Sequence, residues 1–393
     1  MKKFLSWPLY MAVSALMLTS VSACSDDDGG DDGEHSAREL ALKAAVGPYV
    51  NKTVISTYKN MADAAIDMYE KCVAMQEAFE AGTLTGDMVI DAGKSWNTSR
   101  KYWELSEAFL FGAAADYNID PHIDSWPLDK TAMDNMLNNA AQMAQMSPEY
   151  VGNNLGYGLL GFHAVEYMLF QLDATEDNSE PRDLSKYTKE EMIYLTSIAG
   201  DLCNQCVRLE ASWAGMDNIT AEKQKMLEDA ELEPTFNYGS SMLNSGQGGS
   251  KYVNYLDAAQ DILQGCIDIA DEVGNQKIGR PVNGSSSEDK NYIESPYSLN
   301  SIVDFQDNII SIQNSYEGMN AGDASISDYV KSIDPTADAK LKEAIQKAIA
   351  SIKAIPEPFA KNTNTAAARE AVTVVGTDLV KVLEEVNQVL SKY

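Results

Sequence analysis

The sequence of 393 residues contains only three histidines, namely His35, His122 and His163. A zinc peptidase of the common type needs two histidines on one helix and a glutamate base. Neither H-E-x-x-H nor H-x-x-E-H occurs, and G-x-S-x-G, the Walker A loop and the Gly-rich dinucleotide loop are also absent. The familiar signatures of zinc peptidases, serine hydrolases and nucleotide-binding enzymes are therefore missing.

Basic residues are scarce as well. The chain has 30 lysines and arginines against 59 aspartates and glutamates, and its formal net charge is −29. This charge repels the phosphate backbone, so we expect no nucleic-acid partner. Cations are attracted, although the general attraction is weak and unspecific at physiological salt.

Long hydrophobic runs are confined to the N-terminus. Residues 4–18 form an apolar stretch after Lys2 and Lys3, and small residues precede Cys24. This order is typical of a secretory signal, and the cysteine at the junction indicates a lipoprotein whose sulfur receives diacylglycerol. We therefore predict a signal peptide over 1–23 and lipidation of Cys24. The alternative is an ordinary signal peptide with an incidental cysteine.

The segment after Cys24 is acidic and rich in glycine. Such a composition cannot bury apolar surface, so we predict a solvated tether over 24–36. The anchor and the acidic tract predict an outer-membrane lipoprotein that faces the periplasm or the cell surface. No later segment offers about 18 uninterrupted apolar residues, so no transmembrane helix is expected.

Four cysteines follow Cys24, namely Cys72, Cys203, Cys206 and Cys266. Outside the cytoplasm four cysteines can pair in about three ways, and the sequence does not choose between them. Cys203 and Cys206 have C-x-x-C spacing. Cys206 falls on a helical apolar stripe, however, which favours a core position over a zinc site.

Apolar residues recur mainly at three- and four-residue spacing, without a convincing set of alternating strands. The predicted class is all-α, with two helical-bundle domains over 37–216 and 217–393 and a Gly/Ser-rich connector at 238–250. Cys72 and Cys266 lie on similarly placed helices, which suggests an internal duplication, although two helical halves resemble each other by default. The main predicted helices cover 49–79, 87–111, 129–146, 155–170, 188–213, 252–273, 301–316, 338–354 and 365–391.

The sharpest motif is Gly-Phe-His-Ala-Val-Glu at 161–166. His163 and Glu166 share one face of a helix that is apolar nearly all round, so the pair should be buried. A buried glutamate needs a partner or a metal. The pair is therefore either half of a metal site, as in helical bundles that bind di-iron, or a hydrogen-bonded core pair. Gly161 lies off that face, and we expect it to allow the close approach of a neighbouring helix.

Further candidates lie on the preceding long helix and in the loop that follows it. Arg100 and Glu107 fall on an aromatic stripe, and Arg100 can pair with Glu104 four residues later. The alternative is an ion pair that only stabilises the helix. In the loop, Asp124 is a candidate site residue, whereas Asp120 and His122 are better explained by turn structure.

A third set occurs in the C-terminal half. Ser301, Asp304 and Asn308 share one face of a predicted helix, beside an apolar stripe. This face is either solvated or part of a site between the two domains.

Taken in order, these motifs resemble the imelysin-like family. The G-x-H-x-x-E motif of that family matches 161–166, its second helix resembles 96–112, and its next loop resembles 123–127. Its later motifs resemble Glu-Ser-Pro-Tyr-Ser at 294–298 and Ser-Ile-Val-Asp-Phe at 301–305. The resemblance covers most of the chain after about residue 40.

The resemblance implies two helical bundles that face each other with a site between them, an envelope location and an association with bacterial iron uptake. It implies that His163 and Glu166 are metal ligands. The founding member was described as a peptidase, so it leaves enzyme activity open. The second tier of site residues comprises Arg100, Glu104, Glu107, Asp124, Ser301 and Asp304.

Three functional hypotheses follow. The first is a protein that binds iron or an iron-bearing ligand, with envelope transport components as partners, because oxygen-rich ligands with one imidazole suit iron or another divalent metal. The second is a metallopeptidase, which would need a further ligand and a base besides His163 and Glu166. In the third, the pair only locks the domains together in a non-catalytic interaction module.

Overall fold

The structure is a computed structural model that describes residues 31–170 and 182–392. Within these ranges the chain is helical, and it contains no β-strand beyond an isolated bridge at Phe170. The all-α prediction is therefore confirmed. The predicted signal peptide, Cys24 and the first part of the tether lie outside the described residues. No helix in the described ranges is long and apolar enough to cross a bilayer.

The helices of the described chain fall into an N-terminal and a C-terminal half. The first half contains α1 (Asp31–Pro48), α2 (Ile55–Glu80), α3 (Gly86–Glu104), α4 (Ala113–Asp116), α5 (Ile119–Ile123), α6 (Lys130–Leu137), α7 (Ala140–Met143), α8 (Pro148–Asn154), α9 (Gly161–Leu169) and α10 (Lys189–Ala214). The second half contains α11 (Ala221–Asp229), α12 (Tyr238–Leu243), α13 (Tyr255–Glu272), α14 (Gly279–Asn283), α15 (Ser287–Lys290), α16 (Ser301–Glu317), α17 (Ile326–Ile333), α18 (Pro335–Lys353), α19 (Phe359–Asn362), α20 (Ala366–Thr373) and α21 (Val380–Lys392). Short π-helical stretches cover Tyr49–Val54, Val273–Lys277 and Val374–Leu379.

The long helices of the first half form a bundle. Helix α2 packs against α3 and α10, and α9 packs against α3 and α10. A capping box starts α10, in which the Thr188 hydroxyl accepts the Glu191 amide and the Glu191 carboxylate accepts the Thr188 amide. The buried rings of Trp96 and Trp103 supply much of the apolar area on α3. This packing holds α3 and α9 side by side.

The second bundle is built from α13, α16, α18 and α21. Helix α1 also packs against it, through α13 and α17. The Glu39 carboxylate accepts the backbone amides of Tyr255 and Leu256 at the start of α13, where the helix dipole favours a negative charge. Helix α1 was not predicted, and it begins inside the segment predicted as a tether. Its stability comes from tertiary burial of Leu42 and Val46 rather than from local sequence signals.

Shorter elements account for the other differences from the predicted helices. The helix predicted over 129–146 divides into α6 and α7, because Asn139 accepts the Gln142 amide and caps a new helix. The predicted connector begins with α12, which is capped by Asn237. Helix α17 was missed. Capping residues and tertiary packing determine whether such short segments are helical, more than the periodicity of apolar residues does.

The two halves meet along α3 and α16, and one continuous set of buried apolar side chains runs through both bundles. This meeting places the polar face of α3 opposite the polar face of α16. The domain boundary at 216–217 and the internal duplication stay predictions.

Candidate functional site

A buried group of charged side chains lies between α3, α9 and the C-terminal half; we call it the charge cluster. Each member is at most 5% exposed. Helix α3 supplies an arginine and a glutamate, α9 supplies the motif pair, and α16 supplies an aspartate. The members are the cations Arg100, His163 and Lys277 and the carboxylates Glu104, Glu107, Asp124, Glu166, Glu294 and Asp304.

Arg100 lies at the centre of the charge cluster and is fully buried. Its Nη2 atom lies 2.5 Å from both Glu104 Oε1 and Glu294 Oε1, and its Nη1 atom contacts Asp124. Its Nε atom lies 3.5 Å from Asp304 Oδ2. Burial opposes the charge of the guanidinium, but the surrounding carboxylates raise its pKa well above the ordinary value. Arg100 therefore holds together carboxylates from both halves of the chain.

Lys277 is the second fixed cation and is 1% exposed. Its Nζ atom lies 3.1 Å from Glu294 Oε1 and 3.5 Å from both Glu104 Oε2 and Glu107 Oε1. Burial favours the neutral amine, but these carboxylates raise the pKa of Lys277 well above its ordinary value. The ammonium group therefore stays charged in the interior.

Asp124 connects the arginine to the motif histidine. Its Oδ2 atom accepts a hydrogen bond of 2.7 Å from Trp103 Nε1, and its Oδ1 atom lies near both Arg100 and His163. Burial tends to raise the pKa of Asp124, but Arg100 and His163 hold it well below its usual range. Asp124 is therefore a carboxylate at neutral pH.

His163 lies between two carboxylates. Its Nε2 atom is 3.1 Å from Asp124 Oδ1, and its Nδ1 atom is 3.2 Å from Glu166 Oε2. The Nε2 contact has ion-pair distance but not the angles of a hydrogen bond, so this buried atom has no hydrogen-bond partner among the described residues. Burial lowers the pKa of His163, but Asp124 and Glu166 outweigh burial and raise it to about 9.

Glu166 is bonded to the C-terminal half. Its Oε1 atom accepts the backbone amides of Tyr297 and Ser298 at 3.0 and 2.7 Å, and also the Ser298 hydroxyl at 2.7 Å. Its Oε2 atom faces Nδ1 of His163. With Nδ1 held in this way, only Nε2 of the ring is left to face the other carboxylates.

Gly161 brings the loop that carries Asp124 against the motif helix. Its φ angle is +78°, a conformation that residues with a Cβ atom rarely adopt. A Cβ atom there would lie 2.3 Å from the carbonyl oxygen of Ile123, the last residue of α5. The close approach of this backbone sets Asp124 beside His163.

Three side chains of the charge cluster form a group with metal-ligand spacing. Asp124, His163 and Glu294 each offer one ligand atom, and these atoms lie within 4.8 Å of one another. Both His163 Nε2 and Glu294 Oε2 are buried without a hydrogen-bond partner among the described residues. Once Nε2 releases its proton, one imidazole nitrogen with carboxylate oxygens is a donor set that suits iron and similar divalent metals.

The charge balance of the cluster also fits an added cation. Burial raises the pKa of Glu294 to about 7 and raises those of Asp304 and Glu107 well above their ordinary values, although Arg100 and Lys277 oppose the shift. Because burial disfavours the charged form, these carboxylates tend to hold a proton. A bound cation could take the place of that proton.

A family model described as imelysin matches residues 54–386. The chain belongs to the imelysin family. The matched range contains every member of the charge cluster.

Relatives and solved structures agree with this assignment. Iron-regulated protein A of Synechococcus elongatus is 26% identical over 339 residues, which are 86% of this chain and 82% of the relative. The crystal structure of an iron-regulated protein A precursor from Parabacteroides distasonis has a TM-score of 0.74 and 28% identity, over 90% of this chain and 95% of that chain. An imelysin-like protein from Psychrobacter arcticum has a TM-score of 0.58 and 15% identity, over 89% and 93% of the two chains, and shares the fold.

In this imelysin-family chain, the candidates chosen from sequence come together with one exception. Ser301 lies at the edge, where its hydroxyl donates to the backbone oxygen of Glu294 and so positions that residue. His122, for which the sequence favoured a structural role, lies elsewhere, with its Nε2 atom 2.8 Å from Asp201 Oδ2. Asn308, which shares the face of Asp304, donates to Glu104 Oε2 at 2.5 Å. The face over 301–308 is therefore buried against α3.

Sequence reasoning missed Lys277 and Glu294 as site residues. Glu294 opens the Glu-Ser-Pro-Tyr-Ser stretch that resembles a later motif of the imelysin family, so a signal for it existed. Lys277 is the last residue of a π-helical stretch, and it belongs to none of the sequence motifs that pointed to site residues. Only tertiary packing, which includes contact of that stretch with α16, brings its ammonium group to Glu107.

The four cysteines within the described residues are buried and form no disulfide with one another. Burial raises the pKa values of their thiols, as at Cys72 and Cys203, where the value is about 12. None of them belongs to a group with metal-ligand spacing in the described ranges. They act as small apolar side chains in the core.

Proposed function

We propose that this imelysin-family protein binds iron at the centre formed by Asp124, His163 and Glu294, and that it serves iron uptake at the cell envelope. The observation that carries the proposal is the buried Nε2 atom of His163, which has no hydrogen-bond partner among the described residues and lies within 4.8 Å of carboxylate oxygens of Asp124 and Glu294. The names of two relatives as iron-regulated proteins support iron as the metal.

The residues divide into ligands and supports. Asp124 and His163 come from the first half and Glu294 from the second, so the proposed centre lies between the two predicted domains. Glu166 binds Nδ1 of His163, as carboxylates behind metal-bound histidines commonly do. Arg100 then keeps Asp124 and Glu294 close together. In this assignment Glu166 orients a ligand and is not a ligand itself.

The test is iron binding by the purified protein, measured by calorimetric titration under anaerobic conditions and by elemental analysis after desalting. Wild-type protein should retain about one iron per chain, and His163→Gln should lose it. The matched control is His122→Gln, because His122 is also a buried histidine that contacts an aspartate but lies outside the charge cluster. Equal iron retention in the two variants would contradict the assignment of His163 as an iron ligand.

We propose the location separately, on the sequence of the N-terminus. Residues 1–23 should be cleaved, and lipid on Cys24 should hold the protein at the outer membrane. The test is labelling with a radioactive fatty acid followed by membrane fractionation. Cys24→Ser should lose label and membrane attachment, whereas Ser25→Ala should keep both. Label in the Cys24→Ser variant would exclude lipidation at this residue.

A further inference from the structure

A cavity of about 570 Å³ opens onto His163. This volume is within the usual range for small-molecule sites. Residues from both halves line it, including Trp126 and Lys130 from the first half and Lys290 and Tyr297 from the second. We call it the lysine cavity. It has room for a molecule much larger than a metal ion, and the motif histidine forms part of its wall.

The lysine cavity has no carboxylate in its lining. Its charged groups are Lys130, Lys290 and His163, and neither lysine forms an ion pair with a carboxylate of the described residues. Lys130 lies over the rings of Tyr167 and Tyr297, with its Nζ atom 4.8 and 5.0 Å from their centres. The lining is therefore positively charged, although the net charge of the chain is −29.

Trp126 adds an aromatic ring to the same wall. Its ring lies against His163, with the two ring centres 5.8 Å apart. Its Nε1 atom is buried and has no hydrogen-bond partner among the described residues. A buried indole N–H usually finds an acceptor. The Trp126 ring therefore lines the cavity while its N–H stays buried behind the wall without an acceptor.

A second cavity, of about 310 Å³, reaches the charge cluster at Glu107 and is different in character. Its lining contains Glu107, Asp261, Asp268 and Glu272 and no basic residue. An acidic cavity attracts free cations, whereas the lysine cavity repels them. The contrast between the two cavities shows that the positive lining beside His163 is not a general property of the surface.

We propose that the lysine cavity binds iron as an anionic complex with a small polycarboxylate or hydroxycarboxylate. Carboxylates of the complex contact Lys130 and Lys290, the complex lies against the Trp126 ring, and the metal lies on the His163 side of the cavity. This inference rests on the proposed function and specifies the form in which iron arrives. It predicts that the chelator contributes to recognition and is not merely a carrier left in solution.

The test is calorimetric titration of the protein with three probes: iron(III) with excess citrate, citrate alone, and iron(II) without a chelator under anaerobic conditions. The variant is Lys130→Gln together with Lys290→Gln. The matched control is Lys94→Gln together with Lys225→Gln, which removes the same charge from exposed helix surfaces where each lysine pairs with a nearby aspartate.

Wild-type protein and the control should bind iron(III)–citrate, and the Lys130/Lys290 variant should bind it roughly tenfold or more weakly, because two attractive charges are lost close to the ligand. Binding of unchelated iron(II) should stay within about twofold in the variant, since both lysines lie outside the charge cluster. Circular dichroism and melting temperature check that each variant is folded.

The outcomes separate this inference from the proposed function. Iron(II) binding that depends on His163, together with iron(III)–citrate binding that the two lysine substitutions leave unchanged, would overturn the inference and leave the proposed function in place. Failure of both iron probes to bind wild-type protein would overturn both. Tighter binding of the complex than of either component, lost in the lysine variant, is the supporting result.

Discussion

Replacing Glu166 by glutamine tests how the charge cluster holds its histidine. In the structure one carboxylate oxygen accepts three donors from Tyr297 and Ser298, and the other faces Nδ1 of His163. Glutamine has the same size and can still accept the three donors with its amide oxygen. Its NH₂ group, however, would oppose the Nδ1 proton of the histidine.

The expected loss of stability follows from these contacts. A hydrogen bond to a charged group contributes about 1.5–3 kcal/mol and a neutral one about 0.5–1.5 kcal/mol, so three weakened bonds amount to about 3 kcal/mol. Since His163 also loses one of the two carboxylates that raise its pKa, that pKa should fall from about 9. If iron binds at His163, its affinity should fall about 10–100-fold, as is usual when the group behind a metal-bound histidine is removed.

Urea denaturation measures the stability, and an NMR titration of the ring nitrogens measures the pKa of His163. The control is Glu384→Gln, because Glu384 is exposed and its substitution should change the free energy of unfolding by less than about 0.5 kcal/mol. A Glu166→Gln protein that matches this control in stability, and in which His163 titrates as in wild type, would refute the assigned role of Glu166.

Three other substitutions test the surroundings of the site. Gly161→Ala should destabilise the protein by about 2–4 kcal/mol in thermal unfolding, because of the positive φ angle and the clash with the Ile123 carbonyl. The control Gly47→Ala, in open space on a helix, should stabilise the protein by about 0.5–1 kcal/mol. Equal effects of the two substitutions would contradict the close approach at Gly161. Arg100→Gln should cost about 3–5 kcal/mol in urea denaturation, because it leaves buried carboxylates without their counter-charge, and a loss under about 1 kcal/mol would contradict the central position of Arg100. Burial raises the pKa of Asp307 to about 7. Above about pH 4 the unfolded chain releases the proton of this carboxyl, whereas the folded protein keeps it up to about pH 7. The stability that this proton contributes is therefore lost as the pH rises through 7. Asp307→Asn should therefore gain stability over wild type between pH 4 and pH 8, by at most about 4 kcal/mol, and parallel melting curves over this range would contradict the shift.

The fold was accessible from sequence where the signal is local. Helices α2, α10 and α13 are long and have apolar residues at helical spacing, and α10 begins at the capping box formed by Thr188 and Glu191. Such signals arise within a few residues of chain. Helices α1 and α17 were missed because their apolar residues are stabilised by packing against distant helices.

The candidate site was accessible in part. The spacing of His163 and Glu166 and their apolar surroundings predicted a buried pair on one helix face, and both residues are buried there. The partners of that pair could not be predicted from local spacing. Glu166 accepts amides of Tyr297 and Ser298, more than a hundred residues away, and Glu294 reaches Arg100 from the same loop.

The sequence by itself determined the all-α class, the acidic surface and the burial of a histidine and a glutamate on one helix face, because periodicity and composition are properties of neighbouring residues. Only the tertiary structure decided which carboxylates surround His163, that Lys277 joins them, and that a cavity lined by Lys130 and Lys290 opens beside them. The physical reason is that these contacts depend on how α3, α9 and α16 pack together, and no local pattern specifies the orientation of helices that lie far apart in the chain.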